Sequence, residues 1–224
     1  MSSLHPLLQQ AFPQLGLITD PAGVSILAEA PLLSIPAGQS LFRVGDACQN
    51  YLLVVKGQVK VLGRSASGRE IVLYRIQECG SCVLTTACLL GQDTYPAEGI
   101  TETPVQAFAI PSRQFREALS LSEGLRAFIF QSYGARLSGL IGLVQQLAFE
   151  RIDLRLARYL LEHGWDRIEL QITHQDLATE LGSAREVISR QLKQFEREGW
   201  VQLGRGWIRV NDLEGLRGLV AFQS

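Results

Sequence analysis

The stretch Ile172–Trp200 reads ITHQDLATELGSAREVISRQLKQFEREGW, and its alternation of polar and apolar residues decides the architecture of the C-terminal part of the chain. Thr173, followed three residues later by Asp176, has the form of a capping box opening a short helix with Leu177, Ala178 and Leu181 turned inward. Gly182 ends that helix in a tight turn. Ser183 then caps a second helix, with Glu186 at the third position of a second box. At about 100° per residue, Ala184, Ile188, Leu192 and Phe195 gather on one side of this helix. Glu186, Ser189, Arg190, Lys193 and Arg197 gather on the other. The apolar side holds the helix to a core. The polar side offers groups suited to base edges and lysine or arginine suited to phosphates. Val201-Gln202-Leu203, Gly204-Arg205-Gly206 and Trp207-Ile208-Arg209-Val210 follow as a β-hairpin, a wing. A charged helical face by itself reads as a solvated surface. A glycine turn, two successive caps, a face with a single acid and a following hairpin together predict a winged helix-turn-helix that binds double-stranded DNA.

Upstream, no proline interrupts 112–151, and Phe130, Tyr133, Leu137, Leu140, Val144 and Leu147 recur at spacings of 3, 4, 3, 4 and 3. That is a heptad seam, which predicts a helix paired lengthwise with a second copy of itself. Ile129, Ile141 and Leu143 widen the stripe, giving the same helix apolar surface for its own barrel. Asp153 reads as the N-cap of a further helix, Leu154 to His163, closed by Gly164, with a hinge near Phe149–Asp153. Between Leu32 and Pro111 the apolar residues instead come in short runs, among them Leu52-Leu53-Val54-Val55, Val59-Lys60-Val61-Leu62, Ile71-Val72-Leu73-Tyr74 and Val105–Ile110. Spacing of roughly 8–12 residues with glycine punctuation predicts an antiparallel barrel or jelly roll. His5 to Phe12 reads as a short amphipathic helix. The fold class is therefore α+β: a β-roll sensor domain over 1–111, a dimerisation helix over 112–151 and a winged helix-turn-helix domain over 152–224.

The 224 residues carry 21 Lys+Arg against 22 Asp+Glu, a net charge of -1, and are 46% apolar. This excludes a disordered chain and whole-molecule electrostatic capture of nucleic acid, so DNA binding must come from a local patch. With no run of 18 apolar residues and no secretory signal, the expectation is a cytoplasmic protein with no membrane partner. The only histidines are His5, His163 and His174, none in a strand run, and no G-x-S-x-G, H-E-x-x-H or P-loop motif is present. The chain is read as not an enzyme. Trp165, Trp200 and Trp207 read as core residues of the DNA-binding domain.

With these elements in place, the chain resembles the Crp/Fnr family of bacterial transcription regulators, relatives of the cyclic AMP receptor protein. Val44-Gly45-Asp46 followed by Tyr51–Val61 is similar to the family's barrel core, and Arg185-Glu186-Val187-Ile188-Ser189-Arg190 is the most specific piece. The resemblance implies a homodimer that sets two recognition helices in successive major grooves of a near-palindromic site, with RNA polymerase a further partner. Glu186, Ser189 and Arg190 match the Glu-x-x-Ser-Arg pattern of the Fnr-like subgroup, and Arg185 matches the arginine of the cyclic AMP receptor subgroup. A core GA step is implied, Arg190 pairing with a guanine and Glu186 accepting from a cytosine amino group. By family position, His174 and Gln175 are phosphate contacts.

The cyclic-nucleotide members hold ribose with a glutamate and the cyclic phosphate with an Arg-Ser pair. Here Gly80 to Gly99 reads GSCVLTTACLLGQDTYPAEG, which sets Thr85 at the glutamate position and Tyr95-Pro96 at the Arg-Ser position. An anionic phosphate would lose its charge-assisted pair, so a sensor other than one for cyclic AMP is expected. Tyr95 reads either as a gate to the pocket or as a barrel core residue. Cys79, Cys82 and Cys88 form C-x2-C-x5-C, and Cys48 lies on an earlier turn. The spacing is similar to iron–sulfur ligands of Fnr-like oxygen sensors, but those sit in an N-terminal extension, and residues 1–47 here hold no cysteine. An iron–sulfur cluster, zinc, a reversible disulfide, haem, or inert buried thiols beside another ligand pocket stay open, as does a constitutive DNA binder with a degenerate sensor. The expected mechanism is a two-state dimer in which a change at the sensor shifts the hinge and the separation of the two Arg185–Arg197 helices.

Overall fold

A computed structural model describes residues 4–65, 68–164 and 169–221, apart from the side chains of 145–149. The chain divides into two compact units, residues 1–63 with 73–142 and residues 64–72 with 143–224, so the division falls inside a helix.

In the first unit, α1 (Pro6–Ala11), a 3-10 segment (Pro13–Leu17) and α2 (Pro21–Glu29) precede the roll. Its strands are β1 (Leu32–Ile35), β2 (Ser40–Phe42), β3 (Asn50–Lys56), β4 (Val59–Arg64), β5 (Glu70–Ile76), β6 (Gly80–Ser81), β7 (Glu98–Thr101) and β8 (Val105–Pro111), with α3 (Val83–Gly91) between β6 and β7. They form two four-stranded sheets, ordered β1-β8-β3-β6 and β2-β7-β4-β5. β3 runs antiparallel to β8 with Leu53 opposite Phe108. Side chains alternate across a strand, so Tyr51 and Leu53 face the helices together with Phe108 and Ile110. Val54, Val105 and Ala107 face the second sheet with Phe42, Val59 and Val61. Both faces of β3 and β8 are therefore covered, which is why their sequences read as unbroken apolar runs rather than alternating ones.

The single helix expected over 112–151 is two helices, α4 (Ser112–Leu121) and α5 (Glu123–Phe149). The break is at Ser122. Its N–H still donates to Ala118 O at 2.7 Å, while its hydroxyl accepts from Leu125 N–H at 3.0 Å and donates to the Asp20 carboxylate at 2.8 Å. Asp20 also accepts from Gly23 N–H at 2.8 Å, capping α2. Burial alone would raise the Asp20 carboxyl, but these hydrogen bonds outweigh it and hold its pKa below the usual carboxylate value. One carboxylate thus serves two helix starts. Asp20→Ala is expected to cost about 1–3 kcal/mol in thermal unfolding. For the native protein this contribution is present above the ordinary aspartate pKa and is lost as pH falls through the lowered one.

The second unit contains α6 (Ile152–His163), β9 (Glu169–Gln171), α7 (His174–Glu180), α8 (Arg185–Arg197), β10 (Val201–Gly204), β11 (Trp207–Val210) and α9 (Leu213–Ala221). α6 starts two residues earlier than expected, with Arg151 as N-cap. Asp153 lies inside its first turn, paired with the Arg151 guanidinium at 2.6 Å. Gly164 closes it as expected. Leu156, Leu160, Leu177, Ile188, Leu192 and Phe195 form one buried cluster with Val201, Ile208 and Val210 of the hairpin. Trp200 is half-buried on this cluster, its ring 5.3 Å from that of Phe195. Trp207 is also half-buried and stacks under the Arg209 guanidinium, whereas Trp165 lies outside the described residues.

Candidate nucleic-acid interface and effector site

The face that could meet DNA is built from α7 and α8. The capping box is complete: Thr173 Oγ1 accepts from Asp176 N–H at 3.1 Å, and Asp176 Oδ2 accepts from Thr173 N–H at 3.0 Å. Gly182 takes a positive φ of 58°, the left-handed turn that glycine enters without strain. The second box is not formed. Ser183 N–H donates back to Ala178 O, Ala184 is the N-cap, and no side chain caps α8. Helix α8 therefore starts one residue later than Ser183 would set it, and Glu186 is at its second position, where the positive end of the helix dipole still favours an acid.

Ile188, Leu192 and Phe195 are buried, while Arg185, Glu186, Arg190, Lys193 and Arg197 are exposed. Glu186 is exposed in the first turn of α8, and Gln175 is exposed at the start of α7. Ser189 is half-buried, and the reason is invisible in sequence spacing: its hydroxyl lies 2.8 Å from His174 Nδ1. Burial, and then the charges of Arg185 and Lys193, hold the His174 pKa below the usual histidine value. Because unfolded His174 binds its proton more readily than folded His174, stability is lost as pH falls below about 6.5. His174→Gln is expected to reduce the drop in unfolding temperature between pH 7.5 and pH 5.5. Arg205, at the tip of the β10–β11 hairpin beside Gly206 (φ 81°), is exposed and was not among the sequence candidates. Its place between two strand signals hid it as a turn residue.

The seam residues of α5 are open in the protomer. Phe130 is 52% exposed, Leu137 42% and Val144 64%, and Ile141 beside them is 53% exposed. Tyr133 and Leu140 are half-buried, and the side chain of Leu147 lies outside the described residues. On the opposite side Leu125 and Ile129 are sealed into the core. Among the described residues Glu123–Val144 is long and apolar enough, by length and composition, to cross a membrane.

At the positions where a nucleotide would need its glutamate and arginine, the chain satisfies itself. Thr85 Oγ1 and Tyr95 Oη lie 2.7 Å apart, both buried, and the Phe42 ring stacks on Tyr95 at 4.1 Å and 11°. Gly99 leaves room for Phe42, since a Cβ there would meet its ring at 2.4 Å. Tyr95 is a core residue. No lysine or arginine lies between Gly80 and Gly99 to balance a phosphate, and the residues present do not fit a cyclic nucleotide.

The four cysteines do not converge. Cys79 is exposed, with a positive φ of 59°. Cys82 caps α3, its sulfur accepting from Thr85 N–H at 3.4 Å and lying 3.2 Å from Tyr74 Oη. Cys88 donates to Thr94 O at 3.2 Å. Cys48 is half-buried beside it, following the Ala47–Thr94 bridge. Burial and the neighbouring Cys48 sulfur push the Cys88 thiol up to about 12. Among the described residues no three His, Cys, Asp or Glu side chains gather as a metal site. The expected iron–sulfur, zinc or haem ligation therefore finds no assembled ligand set, because Cys82 and Cys88 spend their sulfurs on the local backbone and Cys79 turns outward.

The family model for a Crp-like helix-turn-helix domain matches residues 154–219, and that for a cyclic nucleotide-binding domain matches 32–122. The Global nitrogen regulator of Synechococcus elongatus is 29% identical over 185 residues, covering 77% of this chain and 82% of that protein. The transcriptional regulator SdrP of Thermus thermophilus is 27% identical over 176 residues, covering 74% and 81%. The solved structure of a regulator assigned to the Crp/Fnr family from Eubacterium rectale superposes with a TM-score of 0.84 at 28% identity, covering 95% of this chain and 99% of that one.

Proposed function

The chain belongs to the Crp/Fnr family of transcription regulators and carries its helix-turn-helix DNA-binding domain, and from that premise we propose that it works as a cytoplasmic homodimer on a near-palindromic site. The observation that carries this reading is the two-sided α8, with Arg190 and Glu186 exposed opposite a sealed Ile188–Leu192–Phe195 face. Arg190 pairs bidentately with a guanine and Glu186 accepts from a cytosine amino group, with Arg185 set to read a flanking base. Lys193, Arg197 and Gln175 meet phosphates. His174 holds the Ser189 hydroxyl from behind rather than standing free for phosphate. The open seam of α5 supports pairing of two copies, with recognition helices about 34 Å apart. The same apolar stripe explains the membrane-like composition of that helix. The dimer raises or lowers transcription through RNA polymerase.

The sensor takes something other than a cyclic nucleotide, since Thr85 and Tyr95 occupy each other. A second reading, control by thiol oxidation, is favoured by the neighbouring Cys48 and Cys88 sulfurs. A peroxide would accept two electrons from the two thiols, forming one disulfide and two waters. Measured with reduced protein, peroxide-treated protein and Cys48→Ser, operator affinity changes on oxidation only where Cys48 is present. Identical affinities in all three forms reject thiol control and leave a regulator of another ligand or a constitutive binder. Absence of specific duplex binding in every form rejects the whole reading.

A further inference from the structure

We propose that His174 is a positioning residue for base reading: gaining or losing a proton on its ring turns the Ser189 hydroxyl between donor and acceptor, and so changes the base that α8 prefers. The proposal rests on the reading of α8 as the DNA-recognition helix and adds to it a dependence on protons. Its geometry is one contact between two helices. His174 is the first residue of α7, Ser189 lies in α8, and Ser189 Oγ stands 2.8 Å from His174 Nδ1. Both residues are half-buried, while Glu186, Arg190 and Lys193 on the same side of α8 are exposed. The ring thus backs a hydroxyl that stands among the groups offered to bases.

A hydroxyl has one hydrogen and two lone pairs, and the ring decides where the hydrogen goes. With the ring neutral and Nδ1 bare, the hydroxyl donates to Nδ1, and its oxygen can only accept from DNA. With the ring charged, both ring nitrogens carry hydrogen. Nδ1 then donates to Ser189 Oγ, and the hydroxyl hydrogen is released toward DNA. One proton on His174 converts Ser189 from an acceptor into a donor without moving a heavy atom. In the major groove an acceptor suits the amino groups of adenine and cytosine, and a donor suits guanine O6 and N7 or thymine O4.

Electrostatics sets when this happens. The ring meets α8, whose Arg185 and Lys193 are the charges that act on it. On its own helix Asp176 is spent on the Thr173 cap, and Glu180 is at the far end. Burial and the two cations keep the ring neutral at neutral pH in the free protein. Duplex phosphates bring the opposite charge to Arg185 and Lys193, so binding relieves their repulsion and favours the charged ring. The complex therefore takes up a proton that the free protein releases, and the bound state switches near the ordinary histidine value, about 6.5.

The test is enrichment of a duplex pool, randomised over both half-sites, by the full chain at pH 5.5 and pH 8.0, followed by sequencing. Stronger phosphate attraction at low pH raises all sequences alike, so it cancels from the ratio of bases at one position. One position in each half-site is expected to change from adenine or cytosine at pH 8.0 toward guanine or thymine at pH 5.5. The expected change is about threefold to tenfold, the worth of one hydrogen bond, and the guanine read by Arg190 stays fixed. His174→Gln removes the shift and keeps one preference at both pH values. Ser189→Ala removes the preference itself. Nitrogen-15 spectra of the wild-type histidine rings give a second readout that needs no DNA, His174 being the ring whose signals move in Ser189→Ala. At pH 8.0 its Nδ1 is expected to carry no hydrogen. Enrichment without a pH shift, a shift that survives His174→Gln or Ser189→Ala, or a hydrogen on Nδ1 at pH 8.0 would each overturn the proposal alone. A pool that yields no enriched sequence at either pH rejects the recognition-helix reading itself, and the proposal falls with it.

Discussion

Arg190→Ala lowers affinity for the specific duplex while leaving weak non-specific binding in place. A bidentate arginine–guanine pair is worth about 1–3 kcal/mol. A dimer loses two of them, so the expected drop is about 30-fold to 10⁴-fold. The loss is confined to duplexes that keep the guanine, so replacing that base in both half-sites should cost the wild type as much and the variant little. Lys193→Ala gives the contrasting pattern. It weakens all duplexes alike and lowers the salt slope by about one per subunit, the signature of a phosphate contact. A fluorescence-anisotropy titration over several salt concentrations separates the two. If Arg190→Ala leaves the specific-to-nonspecific ratio unchanged, α8 does not read bases. His174→Gln adds a subtler case: without the Nδ1 bond the Ser189 hydroxyl is free to rotate, so discrimination at the base beside Ser189 falls even though His174 touches no base.

Leu137→Glu is expected to be more severe. Leu137 sits at the centre of the α5 stripe and is 42% exposed in the protomer, so a carboxylate there is tolerated by a single chain. In a paired helix it puts two like charges face to face in an apolar seam. The variant should sediment as a folded monomer with unchanged helical circular dichroism. A monomer engages one half-site, and losing the second costs about 10²–10⁴ in operator affinity. Leu125→Glu is the control in the opposite sense: Leu125 is sealed in the core, so this change unfolds the protomer. A Leu137→Glu protein that stays dimeric would move the interface elsewhere.

The elements that these experiments probe were legible in different degrees. The capping box at Thr173–Asp176, the glycine turn at Gly182 and the two sides of α8 stand in the sequence because each is a relation between residues one to four positions apart. The same holds for the α5 stripe. The jelly roll was legible as a class, from short β runs and glycine turns. Helix starts were less secure. Ser183 and Asp153 are both good capping residues by type, yet the chain caps at Ala184 and Arg151. Ser183 N–H is already spent on Ala178 O, and Asp153 is drawn into the first turn by Arg151. The break at Ser122 was hidden because its partner Asp20 lies 102 residues away. The cysteine spacing was a weaker guide for a related reason. A spacing says how far apart sulfurs are along the chain, not what each sulfur bonds: Cys82 accepts from the Thr85 N–H in the first turn of α3, and Cys88 donates to the Thr94 carbonyl just past its end.

By itself the sequence determined that an α+β chain ends in a winged helix-turn-helix with a basic reading face, because local periodicity and caps follow from backbone geometry alone. Only the tertiary structure decided what fills the sensor. Thr85 closes on Tyr95 under Phe42, and His174 braces Ser189 across the turn between α7 and α8. Each of these depends on which groups find hydrogen-bond or charge partners after distant segments meet, and that balance has no period for a sequence to display.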